Sequence, residues 1–159
     1  MSYEEYEKIL MDYLYIYYGE GYEYIYDYLV MQNFAGTKDE CYLNNYSYPQ
    51  DMYNMEYVRE NYTEMRALIV KALAMTSDED QIEALEKLLV TCDFTGLSCV
   101  HGKWYENGEN VEGYIENYDS MCGLIEKYDM RPSTFTDSKG DPEQLDFTDY
   151  ENSPFDQLC

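Results

Sequence analysis

Basic residues are scarce in this chain: 10 Lys and Arg stand against 33 Asp and Glu, a net charge of −23. A field of that sign repels phosphate, so neither nucleic acid nor an anionic membrane is an expected direct ligand, and attraction is reserved for basic partners. Histidine is scarcer still. The one histidine, His101 in "HGKW", has no Ser or Cys at a recognisable spacing, and nucleophilic catalysis needs converging groups. Paired cysteines are also missing. Cys41, Cys92, Cys99, Cys122 and Cys159 are odd in number and contain no CxxC, which argues against both a disulfide frame and a zinc site. The stretch "DSKGDPEQLD" fails as a calcium loop because Lys139 sits where an oxygen ligand belongs. There is no Gly-rich phosphate loop and no basic patch. No apolar run approaches the roughly 18 residues of a membrane span, and the acidic start "MSYEEYEKIL" is unlike a signal peptide. The expectation is a cytoplasmic protein that is not an enzyme and needs no cofactor or metal.

What is present in excess is tyrosine. With 21 Tyr, 5 Phe and 1 Trp, the chain is too aromatic for a solvated, disordered acid polymer, and 159 residues suit one domain with a sizeable core. Ser2 and Glu5 have capping-box spacing, and Tyr6, Ile9, Leu10, Tyr13, Leu14 and Tyr17 follow at helical intervals up to Gly19. A second helical face reads Tyr22, Ile25, Tyr26, Leu29 and Phe34, ending at Gly36. The tyrosines at 22, 24, 26 and 28 also alternate as in a strand, but a strand would set Ile25 among acids.

Residues 37 to 50 read as a loop. From about Asp51 to Met75 runs the clearest helix, with Met55, Val58, Tyr62, Met65, Ile69 and Leu73 inward. Ser77 is placed to cap a fourth helix through Val90, packing Ile82, Leu85 and Leu89. "LSCVHGKWYENGENV" is the best β candidate, with two short runs about the turn pair Asn107-Gly108. Asn110 is a candidate cap for a fifth helix with Val111, Tyr114, Ile115, Tyr118, Cys122 and Ile125 inward. The expected fold is mainly α: a compact bundle of about five helices with at most a small β-hairpin over 1–131, then an acidic tail over 132–159. In that tail Phe135, Leu145, Phe147, Tyr150 and Phe155 alternate with acids, a pattern suited to docking on a basic groove or packing back on the bundle.

The acids are arranged rather than scattered. Glu56, Glu60 and Glu64 stand four residues apart on the third helix, and Glu23 with Asp27, Glu79 with Glu83, and Glu112 with Glu116 repeat the spacing. Each such pair costs about 0.2 to 0.5 kcal/mol in an isolated helix. Asp12 and Tyr15 on the first helix, Glu20 after it, and Tyr24, Asp27 and Tyr28 on the second fall outside the inward stripes. Tyr6, Tyr13, Tyr17, Tyr22 and Tyr26 are assigned to the core.

Before Pro132 there are 26 acids and 9 bases, a net of −17. That equals the phosphate charge on about 29 Å of duplex DNA, carried by a domain about 35 to 40 Å across. Exposed tyrosines add rigid rings that stack on the arginines of a nucleic-acid channel. By this analogy of composition, the expected function is a nucleic-acid mimic of the phage or mobile-element kind. It would inhibit a nuclease, a restriction enzyme or a CRISPR effector by filling its basic cleft. The alternatives are an immunity protein or antitoxin against a basic toxin, a helical adaptor whose exposed Tyr and Met bind an apolar partner, and an enzyme of unrecognised type. A solvated acidic surface that serves only solubility is the bland alternative. Nothing in the pattern fixes an oligomeric state.

Overall fold

The computed structural model describes residues 1–36, 54–101 and 113–130, with two short strands at 135–136 and 142–143. Among the described residues the α-helices are α1 (Tyr3–Tyr18), α2 (Tyr22–Ala35), α3 (Met55–Leu73), α4 (Glu79–His101) and α5 (Tyr114–Lys127). The expected helical class is what the structure has. Contacts divide the chain into two compact units, Met1–Val100 and His101–Cys159.

In the first unit, Ser2 and Glu5 form the expected capping box, each side chain bonding the other's backbone N–H. The helix stops at Gly19, whose φ of 78° suits glycine alone. One 3-10 turn, Gly19–Gly21, reverses the chain into α2. Asn54 caps α3 by accepting from the Tyr57 N–H, and its own N–H donates to the Ala35 carbonyl. A Cβ on Gly21 would lie 2.5 Å from the Ala72 Cα. Residue 35 therefore sits beside 54 and residue 21 beside 72, so α2 and α3 run antiparallel in contact.

The core is built from Ile25 and Tyr28 of α2, Val58, Tyr62, Met65 and Ile69 of α3, and Leu85, Leu89, Cys92, Leu97 and Cys99 of α4. Several boundaries differ from expectation. Asp78, not Ser77, caps α4, because its carboxylate accepts from the N–H groups of Asp80 and Gln81. That helix runs on past Val90 to His101, so Leu97 to His101 is helix rather than strand. The reason lies in spacing: Leu85, Leu89, Cys92, Gly96 and Cys99 recur every four and three residues and keep one buried stripe. Gly96 does not break it, since its bare Cα gives the Tyr62 ring room that a Cβ would take.

The core assignment of α1 is also corrected. Of its expected inward set only Leu14 is buried; Tyr6, Ile9, Tyr13 and Tyr17 are exposed, while Tyr22 and Tyr26 of α2 are half-buried. The Tyr26 hydroxyl donates to Glu7, tying α2 to α1.

The second unit contains α5, which starts at Tyr114 after Gly113 rather than at a cap on Asn110. Tyr114, Tyr118 and Met121 are its buried face, and Ile115, expected inward, is exposed. Phe135–Thr136 pairs antiparallel with Pro142–Glu143, a short ladder within the acidic tail. The loop at 37–50, the Asn107-Gly108 turn and the remainder of the tail lie outside the described residues.

Candidate functional site

Two contacts between α2 and α3 define which flanks of these helices share a surface. At one end the Lys71 ammonium lies over the Tyr24 ring, 5.6 Å from its centroid. At the other, the Phe34 and Tyr57 rings meet with centroids 6.4 Å apart. Asp27 is three residues beyond Tyr24 and seven before Phe34. Glu64 is seven from both Tyr57 and Lys71, and Glu60 is three beyond Tyr57. On a 3.6-residue period these three acids lie between the two contacts on one side of the helix pair. All three are exposed, and Glu23 and Glu56 extend the patch one turn at either end.

The described arginines and Lys87 pair away from this face, and the one described cation at its edge is Lys71, at the Tyr24 end. Arg66 pairs with the buried Asp93 at 2.9 Å, and the Arg59 Nε donates to the Cys99 carbonyl at 2.6 Å. Lys87 pairs with Glu83 within α4, and Lys71 rests on Tyr24. Among the described residues, Glu56, Glu60 and Glu64 form no ion pair. Residues 1–100 contain 19 acids and 6 bases, a net of −13.

The remaining candidates separate into groups. Asp12, Glu20 and Glu79 are exposed, as is Glu116 in the second unit. Tyr15 is exposed, but its hydroxyl donates to Glu20 at 3.1 Å; that bond, followed by the carboxylate's charge, holds the phenol above its ordinary value. Tyr24 is half-buried under Lys71. Tyr28 is corrected outright: it is 1% exposed and part of the core, because aromatic residues surround α2 on all sides and give no clear phase. Glu83 has its own lysine, and Glu79 stands in the first turn of α4, where the helix dipole favours an acid. Glu112 lies outside the described residues. Among the described residues the uncompensated like-charge spacing therefore reduces to 23/27, 56/60 and 60/64, costing about 0.6 to 1.5 kcal/mol together.

The sequence pattern missed a buried polar cluster. Asp93 is fully buried; its Oδ1 accepts from the Tyr62 hydroxyl at 2.7 Å and from Arg66, while Oδ2 has no partner among the described residues. Burial raises the Asp93 carboxyl above its ordinary value, against the opposing pull of Arg66 and Tyr62. The Tyr62 phenol and Cys92 thiol beside it are raised as well, first by burial and then by the Asp93 charge. The available signal was an Asp inside an otherwise apolar helical stripe. No group of three His, Cys, Asp or Glu suited to a metal occurs among the described residues, and no described helix is long and apolar enough to cross a membrane.

Comparison with protein families, curated proteins and solved structures finds no match for this chain.

Proposed function

We propose that the protein is a non-catalytic, acidic nucleic-acid mimic that occupies the basic DNA- or RNA-binding cleft of a nuclease or defence effector, of the anti-restriction or anti-CRISPR kind. One observation carries the reading. The α2/α3 face presents Asp27, Glu60 and Glu64 to solvent with a single described cation, Lys71, at its edge, while Arg59, Arg66 and Lys87 are committed to contacts of their own. A surface meant only for solubility gains nothing from three unpaired acids set side by side, whereas one that meets a cationic groove does.

The test is a panel of purified restriction and CRISPR nucleases, assayed for DNA binding with and without the protein. The reading requires that at least one be displaced from DNA, that complex formation weaken steeply with salt, and that Glu60→Lys with Glu64→Lys abolish displacement. A bound nuclease whose DNA cleft stays open, at an affinity indifferent to salt, would refute it. A second reading, a helical adaptor, draws support from the exposed apolar side chains of α1. It predicts binding that survives high salt.

A further inference from the structure

We infer that the outward face of α1 is a seat for a basic amphipathic helix of a partner protein. Tyr6, Ile9, Tyr13 and Ile16 recur at intervals of three, four and three residues, the a and d positions of a coiled-coil seam. Ile9 is 60% and Ile16 75% exposed, and Tyr6 and Tyr13 stand more than half open. Tyr17 broadens the seam, its ring stacked on Tyr13 with centroids 5.6 Å apart. The helix does not need this stripe to hold its place in its own unit. That contact runs through buried Leu14 and half-buried Leu10, Met11 and Tyr18. A continuous apolar stripe of this kind on a folded unit marks an interaction surface.

The flanks of the seam select the occupant. Glu5 and Asp12 take the g positions beside it. A second copy packed antiparallel would set these acids against their own counterparts. A parallel copy would set them against Leu10 and Tyr17, with no charge gained. The chain's net charge of −23 adds repulsion to either arrangement. At the other end, Ile16 and Tyr17 line a cleft of about 460 Å³ together with Asp78, Asp80 and the Glu83–Lys87 ion pair, which leaves the two aspartates as its uncompensated charges. Acids thus border the apolar seam at Glu5 and Asp12 along its length and at Asp78 and Asp80 at its end. The complement is a helix with apolar a and d residues and Lys or Arg beside them. This seat shares none of the α2/α3 acids, so it stands apart from the mimicry reading.

The experiment titrates the full-length protein into a labelled synthetic three-heptad helix, with Leu at a and d and Lys or Arg at e and g, followed by fluorescence anisotropy. Three companions run beside it: a scrambled peptide of equal composition, a peptide with Glu replacing the basic residues, and the double variant Ile9→Ser, Ile16→Ser. Both isoleucines are exposed, so the variant should keep the unit's melting temperature. The basic helix is expected to bind, with the scrambled peptide, the acidic peptide and the variant each weaker by about tenfold or more. Failure of the basic helix to bind overturns the inference, as does equal binding by any of the three companions. Sedimentation showing a dimer that Ile9→Ser, Ile16→Ser dissolves would assign the seat to a second copy and overturn it equally.

Discussion

Asp93 has a carboxylate with unequal halves: Oδ1 holds two donors and Oδ2 none among the described residues. Its folded value is raised, so the native state holds this proton more tightly than the unfolded chain does. The contribution is fully present below the ordinary carboxylate value and is lost as pH rises through the folded one. Asp93→Asn should remove that dependence. Denaturant unfolding of both forms across the acid-to-neutral range should therefore show the natural chain gaining stability relative to the variant as pH falls. A constant difference would mean that Asp93 ionises as readily buried as free. Asp93→Leu leaves the buried Tyr62 hydroxyl without its acceptor, a loss of about 1 to 3 kcal/mol. Gly96→Ala drives a Cβ into the Tyr62 ring and should cost about 1 to 3 kcal/mol by overpacking, read as a lower melting temperature.

Among the elements, α3 is where stability and the proposed function oppose each other. Glu60 faces Glu56 one turn before and Glu64 one turn after, and Arg59 is bonded away to Cys99. Glu60→Lys turns two repulsions into two attractions, a gain of about 1 kcal/mol, which calorimetry would record as a higher melting temperature. The same change should weaken binding to a cationic cleft. The legibility of each helix followed from how its side chains segregate. α3 was readable because Val58, Tyr62, Met65 and Ile69 contrast with glutamates opposite, and α1 announced its ends through Ser2, Glu5 and Gly19. The inward faces of α1 and α2 were not readable, since tyrosine serves core and surface alike: Tyr28 is enclosed while Tyr13 is open. The length of α4 is hidden by the short runs about Asn107-Gly108, which read as a hairpin, and it emerges only when the stripe from Leu85 is followed through Cys92, Gly96 and Cys99.

At the scale of the whole molecule, charge was legible and its placement was not. Composition gives a net of −23, but only tertiary contacts reveal that Arg66 is spent on Asp93 while Glu64 has no ion pair among the described residues. On the proposed mimicry reading, raising salt should slow association with the target nuclease far more than it speeds dissociation, which stopped-flow mixing would separate. One buried group also offers a clock. Cys92 is enclosed by α2, α3 and α4, and burial keeps its thiol in the unreactive protonated form. In a chain with Cys41, Cys99, Cys122 and Cys159 replaced by serine or alanine, a maleimide can tag this sulfur only when the surrounding helices part. The tagging rate thus times the breathing of the unit, and a bound partner that slows it must be clamping the helices shut.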